Sequence, residues 1–299
     1  MTNFANHDMV VQSWYVACPS RDLRKKKIVM VEIGETRIAV YRTKRNEIYA
    51  LGATCPHLGA DLSKGSVIGD CIQCPFHHWI FSPNGECIKS AGQVHPSGRK
   101  IRNYPVKEYS GLIWIFNGPQ VLFDLPHLDN YGWKIHLPGQ FIRCHHHLVI
   151  GNGLDAKHME TVHSIKFLQR PVISKPCPYS VMISLEASPI SKVLQWISGE
   201  KIHATFSTFG GSIAMMRVKK PTFEVLFTGM PQKGGCKTKT IISVPRYGII
   251  NMFRSAILLF ILLKDDHKIL DSLKFSGKLT PADKGLQELA NVINELPKA

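Results

Sequence analysis

The sequence predicts an α+β protein with an all-β N-terminal half and a C-terminal half in which helices flank an antiparallel sheet. Residues 12–118 contain short β-rich runs broken by turns, and a second series of such runs spans 181–244. With 299 residues, 44% of them hydrophobic, the chain is long enough to fill two cores. The predicted division is an N-terminal tail at 1–11, a first domain at 12–118 and a second domain at 119–299.

The first half is predicted to consist of hairpins. The runs Lys27–Ile33 and Thr36–Tyr41 meet at Gly34-Glu35, which is typical of a tight turn between antiparallel strands. A link that contains Gly118 and Pro119 ends this half. The other predicted strands are Glu47–Leu51, Cys71–Gln73, Trp79–Phe81, Tyr104–Val106 and Leu112–Phe116.

The second half is predicted to combine a sheet with helices. Ile142–Ile150 is predicted to be a strand on which His145 and His147 share a face, either as a histidine-rich sheet surface or as a metal site. Ala256–Leu263, AILLFILL, is too short for a membrane span, which needs about 20 apolar residues, so it is predicted to be a buried strand or helix, with hydrophobic membrane contact as the alternative. Helical spacing of apolar residues predicts a final helix at Pro281–Leu296. The other predicted strands are Val181–Leu185, Ser191–Ser198, Lys201–Phe209, Ser212–Val218, Thr222–Phe227 and Thr240–Val244.

Two short motifs in the first half carry metal-ligand chemistry. Residues 55–57 read C-P-H and residues 74–77 read C-P-F-H, with sixteen residues between them. Tetrahedral zinc would take all four donors, whereas a two-iron cluster would take both sulfurs on one iron and both imidazoles on the other. Zinc fingers pair sulfur with sulfur and nitrogen with nitrogen, but here each pair is mixed. The stretch therefore resembles the Rieske [2Fe–2S] domain. This resemblance gives the cluster ligands as Cys55, His57, Cys74 and His77.

The second motif departs from the family pattern at one position. The family usually has Gly after the second histidine, where a tight backbone turn is needed, and this chain has His78. His78 is expected either to adopt that geometry with strain or to compete with His77 for the metal. His77 is retained as the ligand because its spacing from Cys74 is that of the family.

A second group of possible ligands lies in residues 151–167, GNGLDAKHMETVHSIKF. Asn152, Asp155, His158 and His163 follow the pattern N-x2-D-x2-H-x4-H. Two imidazoles, one carboxylate and open positions suit non-haem Fe(II) and O2 chemistry. His158 and His163 would lie about 140° apart on an ideal helix, so they converge only if the helix ends or is distorted between them. Considered alone, this pair is better explained as two structural histidines.

The two motifs together resemble the Rieske non-haem iron oxygenases, terminal components that hydroxylate, demethylate or dihydroxylate small organic molecules. The resemblance implies a helix-grip-like catalytic domain with a mononuclear Fe(II) bound by His158 and His163. The third ligand of the family is an Asp at the start of a helix that follows an apolar run. Asp266 fits this position, with Asp265 as the alternative. Residues expected to pack that helix are Ile269, Leu270 and Leu273.

The resemblance also implies a catalytic role for Asp155. In the family this Asp bridges a cluster histidine of a neighbouring subunit to an iron-ligating histidine of its own, which requires a head-to-tail homotrimer. The electron would pass by way of His77 and Asp155. A carboxylate that only orients His158 is the alternative, because residues three apart share a helical face.

The expected function is that of a terminal oxygenase for a small apolar ring compound, with O2 as co-substrate. Electrons from NAD(P)H would arrive through a flavin reductase, a ferredoxin or both. Residues 282–289, ADKGLQEL, resemble the monooxygenase and demethylase branch, so monooxygenation is favoured over cis-dihydroxylation. A Rieske electron-transfer protein without a second metal and a zinc-binding interaction module are the alternatives. The expected pocket residues are Ile249, Ile250, Met252, Phe253 and Leu258.

The composition of the chain indicates its cellular compartment and the kinds of partner it binds. The N-terminal residues MTNFANHDMVVQSWY lack a basic segment followed by an apolar core, and the eight cysteines show no disulfide framework, so a cytoplasmic protein is expected. No transmembrane segment is expected. The formal charge of +15 is spread along the chain rather than gathered in one stripe, so no nucleic-acid partner is expected. This charge suits docking of an acidic electron carrier, and a generally basic surface explains it equally well.

Overall fold

The computed structural model describes residues 4, 9–90, 93–94, 99–129, 132–246, 249–275 and 277–299. The chain divides into two compact units. One unit is Gln12–Leu122, and the other is Phe123–Lys298, with which Met1–Val11 is grouped. None of the helices in the described ranges combines the length and apolarity that crossing a bilayer requires.

The first unit is built from strands, as predicted. Its described strands are β1 (Trp14–Pro19), β2 (Ile28–Ile33), β3 (Thr36–Arg42), β4 (Ile48–Gly52), β5 (Ser66–Ile68), β6 (Cys71–Gln73), β7 (Ile80–Phe81), β8 (Cys87–Ser90), β9 (Gln93–Val94), β10 (Asn103–Tyr104), β11 (Val106–Tyr109) and β12 (Leu112–Phe116). They form three antiparallel sheets with the orders β1-β12-β11, β10-β4-β3-β2 and β5-β6-β7-β8-β9. The β2–β3 hairpin turns at Gly34, whose φ of 58° lies in the left-handed region.

The core of the first unit extends into the two motif loops. Strand β4 leads into the loop that begins at Cys55, and β6 leads into the loop that begins at Cys74. Both cysteines belong to the same buried cluster as the side chains of the surrounding strands. Neighbours in this cluster include Tyr41, Leu51, Leu62, Ile72 and Phe81. The sheets therefore hold the starts of both loops rigidly.

The second unit is a sheet covered by helices. Its described strands are β13 (Gly132–His136), β14 (Gln140–Ile142), β15 (Ile165–Phe167), β16 (Val172–Cys177), β17 (Ser180–Pro189), β18 (Ile202–Phe209), β19 (Ile213–Val218), β20 (Phe223–Gln232) and β21 (Gly235–Pro245). Its described helices are α1 (His146–Gly151), α2 (Ala156–Thr161), α3 (Lys192–Ser198), α4 (Ile249–Ser272) and α5 (Lys284–Glu295). The antiparallel sheet has the order β13-β21-β20-β19-β18-β17-β15, with β14 paired to β21 and β16 to β17. The predicted α+β class is confirmed.

One face of this sheet packs against α3 and α4. Alternate residues of a strand point to the same face, so the apolar residues of β18–β21 gather on the side that the helices cover. Helix and strand side chains form one buried cluster there. Its members include Leu194, Ile197, Leu258 and Leu259 from the helices and Ile202, Val218, Phe223 and Val225 from the strands.

The predicted strand at Ile142–Ile150 is wrong. Strand β14 ends at Ile142 and helix α1 follows, with the Nδ1 atom of His145 accepting a hydrogen bond from the His147 N–H at 3.2 Å as its N-cap. Helix α1 is buried on every side, so its sequence lacks the polar stripe that marks a helix. His145 and His147 are buried, so they do not form a sheet surface.

The predicted strand at Ser191–Ser198 is also wrong, because this segment is helix α3. It ends at Gly199, whose φ of 83° stops the helix. Leu194 and Ile197, three residues apart, both pack into the core, and this contact selects a helix over a strand. The remaining predicted strands of this unit and the final helix are confirmed within a few residues at their ends, except for the added length of β17, β20 and β21.

Candidate metal centres

The two motif loops of the first unit have the same backbone closure. The Cys55 N–H donates to the Ala60 carbonyl at 2.9 Å, and the Cys74 N–H donates to the Trp79 carbonyl at 2.8 Å. In each loop the bond therefore spans five residues from the cysteine. Two equivalent loops present one sulfur and one imidazole each.

The four donors face one another. Cys55 and Cys74 are buried, and their thiols lie within hydrogen-bonding reach of each other. The rings of His57 and His77 have centroids 4.6 Å apart. Both Nδ1 atoms are buried, and neither has a hydrogen-bond partner among the described residues. Buried nitrogen atoms without partners are rare, and a metal would satisfy them. Two sulfurs and two such nitrogens fit a Rieske cluster.

The surroundings of Cys55 and His57 favour the neutral form of each side chain. Burial, together with the nearby Cys74 thiol, raises the pKa of the Cys55 thiol to about 11. Burial, His77 and Arg99 together lower the pKa of His57, on whose ring Trp79 stacks at 4.5 Å. Neutral imidazole is the ligating form, whereas the thiols must lose their protons when a metal binds.

His78 has the backbone geometry that the family reserves for glycine. Its φ is 57°, and Gly59, which lies at the equivalent place in the other loop, has a φ of 76°. Each is the fourth residue after its cysteine. The side chain of His78 is exposed.

Three side chains of the second unit converge on one point. The Nε2 atoms of His158 and His163 are 3.1 Å apart, and the Oδ1 atom of Asp266 is 2.8 Å from the first and 3.0 Å from the second. Helix α2 ends at Thr161, so His163 lies beyond it and turns back towards His158. The five-residue spacing of His158 and His163 required the helix to end or to be distorted between them, and it ends there. His158, His163 and Asp266 each bring one ligand atom to within 4.8 Å of the other two, an arrangement that could hold a single metal ion.

Hydrogen bonds keep the carboxylate of Asp266 ionised. Burial works against ionisation of Asp266, but hydrogen bonds from His158 and His163 outweigh it and lower the pKa of Asp266 to about 2. The Nδ1 atom of His163 is buried without a described hydrogen-bond partner. One carboxylate and two imidazoles are the donors that suit non-haem Fe(II).

Asp266 lies inside a helix rather than at the start of one. Helix α4 begins at Ile249, so the apolar run and Asp266 belong to the same helix, and the expected helix start is wrong. Leu270, one turn after Asp266, is buried as expected. Ile269 and Leu273 are half-buried. The side chain of Asp265 lies outside the described residues.

Asp155 caps helix α2. Its Oδ1 atom accepts a hydrogen bond from the His158 N–H at 3.0 Å, which fixes the start of the helix that carries His158. The Nδ2 atom of Asn152 lies 3.3 Å from Nε2 of His158. Sequence reasoning gave Asn152 no role, although its place in the motif pointed to this contact.

A cavity of about 760 Å³ adjoins the three converging side chains, and His158, His163 and Asp266 all line it. Most of its other lining residues are apolar. Leu258 lines it as predicted, whereas Phe253 does not, because its side chain points outwards and is 59% exposed. The other expected pocket residues have side chains outside the described residues. They are Ile249, Ile250 and Met252.

A small polar region of the lining comes from two paired strands. Gln140 of β14 pairs with Thr238 of β21, and the Thr238 hydroxyl donates to the Gln140 carbonyl at 3.2 Å. Thr240 lies two residues further along β21, on the same face. All three residues line the cavity. Sequence reasoning missed them because only the pairing of distant strands brings them together.

Comparison with known proteins places the first unit in a family. The model of the Rieske [2Fe–2S] domain matches residues 13–109. Cholesterol 7-desaturase of Bombyx mori is 31% identical over 163 residues, which are 52% of this chain and 36% of that protein. The oxygenase component of dicamba O-demethylase from Stenotrophomonas maltophilia is 30% identical over 162 residues, which are 52% of this chain and 48% of that protein. The chain thus matches less than half of the length of each of these two relatives.

A solved structure extends the likeness to the fold of both units. The crystal structure of dicamba monooxygenase bound to dicamba matches with a TM-score of 0.72 at 19% identity, covering 96% of this chain and 97% of that one. A Rieske domain implies a [2Fe–2S] cluster, and the likeness to Rieske oxygenases implies a mononuclear iron. The chain therefore contains a Rieske [2Fe–2S] domain and has the sequence relatives and the fold of the Rieske terminal oxygenases.

Proposed function

We propose that this chain is a Rieske terminal oxygenase that hydroxylates or oxidatively demethylates a small apolar organic molecule containing a ring. The observation that carries the proposal is the convergence of two imidazoles and one carboxylate at the wall of an apolar cavity. An electron-transfer protein has no need of this second site. The proposed ligands are Cys55, His57, Cys74 and His77 for the cluster and His158, His163 and Asp266 for the iron.

When bound, the cluster supplies electrons and the mononuclear Fe(II) binds and activates O2. His158, His163 and Asp266 line the cavity, so they would hold a metal next to the space that a substrate would occupy. The apolar lining excludes water from the reacting carbon. Asp155 holds the backbone of His158 in place, and we assign its second carboxylate oxygen to the contact with a neighbouring subunit.

The cavity supports a substrate class. Ligand sites of about 300 to 1,000 Å³ hold small molecules, and an apolar lining with a few polar groups selects an apolar skeleton with one or two polar substituents. Gln140, Thr238 and Thr240 provide those polar groups here. The relative named as a dicamba O-demethylase supports demethylation and hence monooxygenation.

Desaturation of a sterol is a second candidate reaction. It is favoured by the relative named as a cholesterol 7-desaturase, which is 31% identical over half of this chain. A sterol has an apolar ring skeleton with one hydroxyl group, which agrees with the lining of the cavity. Product mass separates the candidates: hydroxylation adds one oxygen, demethylation removes CH2, cis-dihydroxylation adds two oxygens and two hydrogens, and desaturation removes two hydrogens.

The proposed partners follow from the same function. Electrons from NAD(P)H would reach the cluster through a flavin reductase, a ferredoxin or both, and the net charge of +15 favours an acidic carrier. A homotrimer would bring the cluster of one copy to Asp155 of the next. Size-exclusion chromatography with light scattering tests this assembly.

Iron analysis is the first test of the proposal. We expect about three irons per chain, two in the cluster and one mononuclear. His158→Ala should reduce this to about two without changing the visible absorbance of the cluster, and it should abolish product formation with a surrogate reductase. Full iron content and unchanged product formation in His158→Ala would overturn the assignment.

Substitution of Asp155 separates its two roles. Asp155→Asn keeps an oxygen that accepts the His158 N–H, so we expect native stability and iron content but a loss of turnover of at least about tenfold. Asp155→Ala also removes the cap and should cost about 1 kcal/mol of stability. If Asp155→Asn turns over at the wild-type rate, the residue is only a helix cap.

A further inference from the structure

Helices α3 and α4 carry several exposed apolar side chains. Trp196 of α3 is 69% exposed, and Phe253 of α4 is 59% exposed. Ile257, one turn after Phe253 on the same side of α4, and Ile190, just before α3, are also exposed. We call Ile190, Trp196, Phe253 and Ile257 the α3–α4 face. Exposed apolar side chains that cluster in this way mark an interaction surface.

The inner side of the same helices forms the wall of the cavity. Leu194 of α3 and Leu258 and Leu259 of α4 line it and belong to the buried core. A helix with its side chains is about 10 Å thick. The α3–α4 face therefore lies about one helix thickness from the space assigned to an apolar substrate.

Basic residues accompany the α3–α4 face, and acidic residues are missing from its segments. Lys192 lies one helical turn before Trp196, and the guanidinium carbon of Arg254 lies 5.6 Å from the Trp196 ring centroid. Residues 190–199 and 249–264 contain no Asp or Glu, in a chain with a net charge of +15. Trp, Phe and Ile beside Lys and Arg are typical of helices that lie in the headgroup region of an anionic bilayer. Protein interfaces are also rich in Trp, Phe and Arg but are depleted of Lys, so Lys192 is the residue that favours a bilayer over a protein partner.

We propose that the α3–α4 face binds the surface of a lipid bilayer that contains anionic lipid, and that an apolar substrate passes from the bilayer into the cavity. The binding does not depend on the proposed oxygenase function, whereas the passage of substrate rests on it. Arg254 and Lys192 would meet the lipid headgroups. Trp196 and Phe253 would enter the boundary between headgroups and acyl chains.

Sedimentation with vesicles tests the binding. The iron-loaded protein is mixed with vesicles of phosphatidylcholine alone or of phosphatidylcholine with phosphatidylserine, and the bound fraction is measured at low and high salt. The variant is Trp196→Ser/Phe253→Ser. The matched control is Phe141→Ser/Val172→Ser, which changes two exposed apolar side chains that lie on β14 and β16 rather than on α3 or α4.

Wild type and control should bind the vesicles with phosphatidylserine, more weakly as salt rises, and the variant should bind at least about tenfold more weakly. Unchanged iron content and cluster absorbance would show that the variant is folded. A loss of vesicle binding could then be separated from a failure of the proposed oxygenase function. Wild type that stays in solution with both vesicles, or a variant that binds like the control, would overturn the proposal. So would a variant with unchanged vesicle binding and an altered oligomer mass, because the face would then join copies of the chain.

Discussion

One residue of the motif loop that begins at Cys74, His78, has a strained backbone. His78 and Gly59 occupy equivalent places, and both have positive φ. A residue with a Cβ atom in the left-handed region carries a cost of about 1 kcal/mol that glycine does not. His78 therefore stores strain beside the proposed cluster ligand His77.

Replacing His78 with Gly should relieve this strain. We expect His78→Gly to keep the visible absorbance of the cluster and to raise the free energy of unfolding by up to about 1 kcal/mol, reduced by the greater freedom of glycine in the unfolded chain. Chemical unfolding monitored by circular dichroism measures it. Loss of the cluster in this variant would show that His78, and not only His77, is needed to hold it.

The matched control is Gly59→Ala in the other loop. No atom lies within 4 Å of a Cβ added at Gly59, so the substitution tests backbone strain alone. It should lower the free energy of unfolding by about 1 kcal/mol. Equal stability of Gly59→Ala and wild type would show that positive φ carries no cost in these loops.

Glu108 neutralises a buried arginine in the first unit. Its Oε2 atom accepts from Nη1 of Arg42 at 3.0 Å, and this hydrogen bond lowers the pKa of Glu108 below its usual 4.5. The stabilisation is therefore present above about pH 4.5 and is lost as the pH falls through the folded-state pKa.

We expect Glu108→Gln to lower the free energy of unfolding by about 1 kcal/mol at neutral pH, since Glu108 is partly exposed and solvent screens it. The difference from wild type should shrink as the pH falls below 4.5 and through the lowered pKa of Glu108, because the wild-type carboxylate then becomes protonated. Urea titrations at several pH values measure this. The control Glu47→Gln, which removes an exposed partner of Arg45 at 3.6 Å, should stay within about 0.5 kcal/mol of wild type.

Some site residues were predictable from local spacing and others were not. The mixed Cys-His pairs indicated Cys55 and Cys74 with their histidines, because each pair occupies one short loop. Asp266 lies 103 residues after His163, so only the resemblance pointed to it. Thr238 and Thr240 depend on strand pairing over about 100 residues, and no local pattern encodes that pairing.

At the scale of elements, the sequence predicted those with a regular period or an unbroken β-rich run. Strand β17 alternates between buried and half-buried residues and helix α5 has one buried side, whereas β12 is buried on both sides and is recognised as a continuous run of apolar residues. Helix α1 is buried all round and α3 has only two turns, so neither displays a helical period. Tertiary packing decided both, and the prediction of strands failed there.

A salt bridge attaches helix α4 to the end of β14. Asp271 accepts from the backbone N–H of Arg143 at 2.9 Å and from its guanidinium at 2.7 and 3.1 Å. Asp271 lies five residues after Asp266 on the same helix. The salt bridge thereby positions the proposed carboxylate ligand without touching the metal.

Loss of this attachment should weaken iron binding. We expect Arg143→Met to lower Fe(II) affinity roughly tenfold, as substitutions behind metal ligands commonly do, while cluster absorbance stays unchanged. Competition with a coloured chelator measures the affinity. Arg37→Met removes a comparable salt bridge, 2.7 Å to Asp61 in the first unit, and should leave Fe(II) affinity unchanged. Equal effects of the two variants would contradict a positioning role.

At the scale of the whole molecule, the two proposed metal centres differ in how far their ligands are shielded from solvent. Cys55 and Cys74 are almost fully buried in a core of strands, whereas Asp266 keeps one-fifth of its side chain exposed beside a cavity. A small ligand can therefore compete for one metal much more readily than for the other.

A ferrous chelator should exploit this difference. We expect it to lower the iron content from about three to about two per chain, leaving the visible absorbance intact and abolishing turnover, which added Fe(II) restores. Iron assay, absorbance and activity are followed on one sample. Absorbance that falls in step with the first iron lost would contradict the assignment of two separate centres.

Helix α4 serves two purposes at once. Leu259, Asp266 and Leu270 are spaced by seven and four residues, so one stripe of this helix supplies both a wall of the cavity and a proposed metal ligand. A substrate in the cavity and a metal at the proposed site would therefore both contact helix α4. If an inert substrate analogue raises the affinity for iron by some factor, thermodynamic linkage requires that iron raise the affinity for the analogue by the same factor.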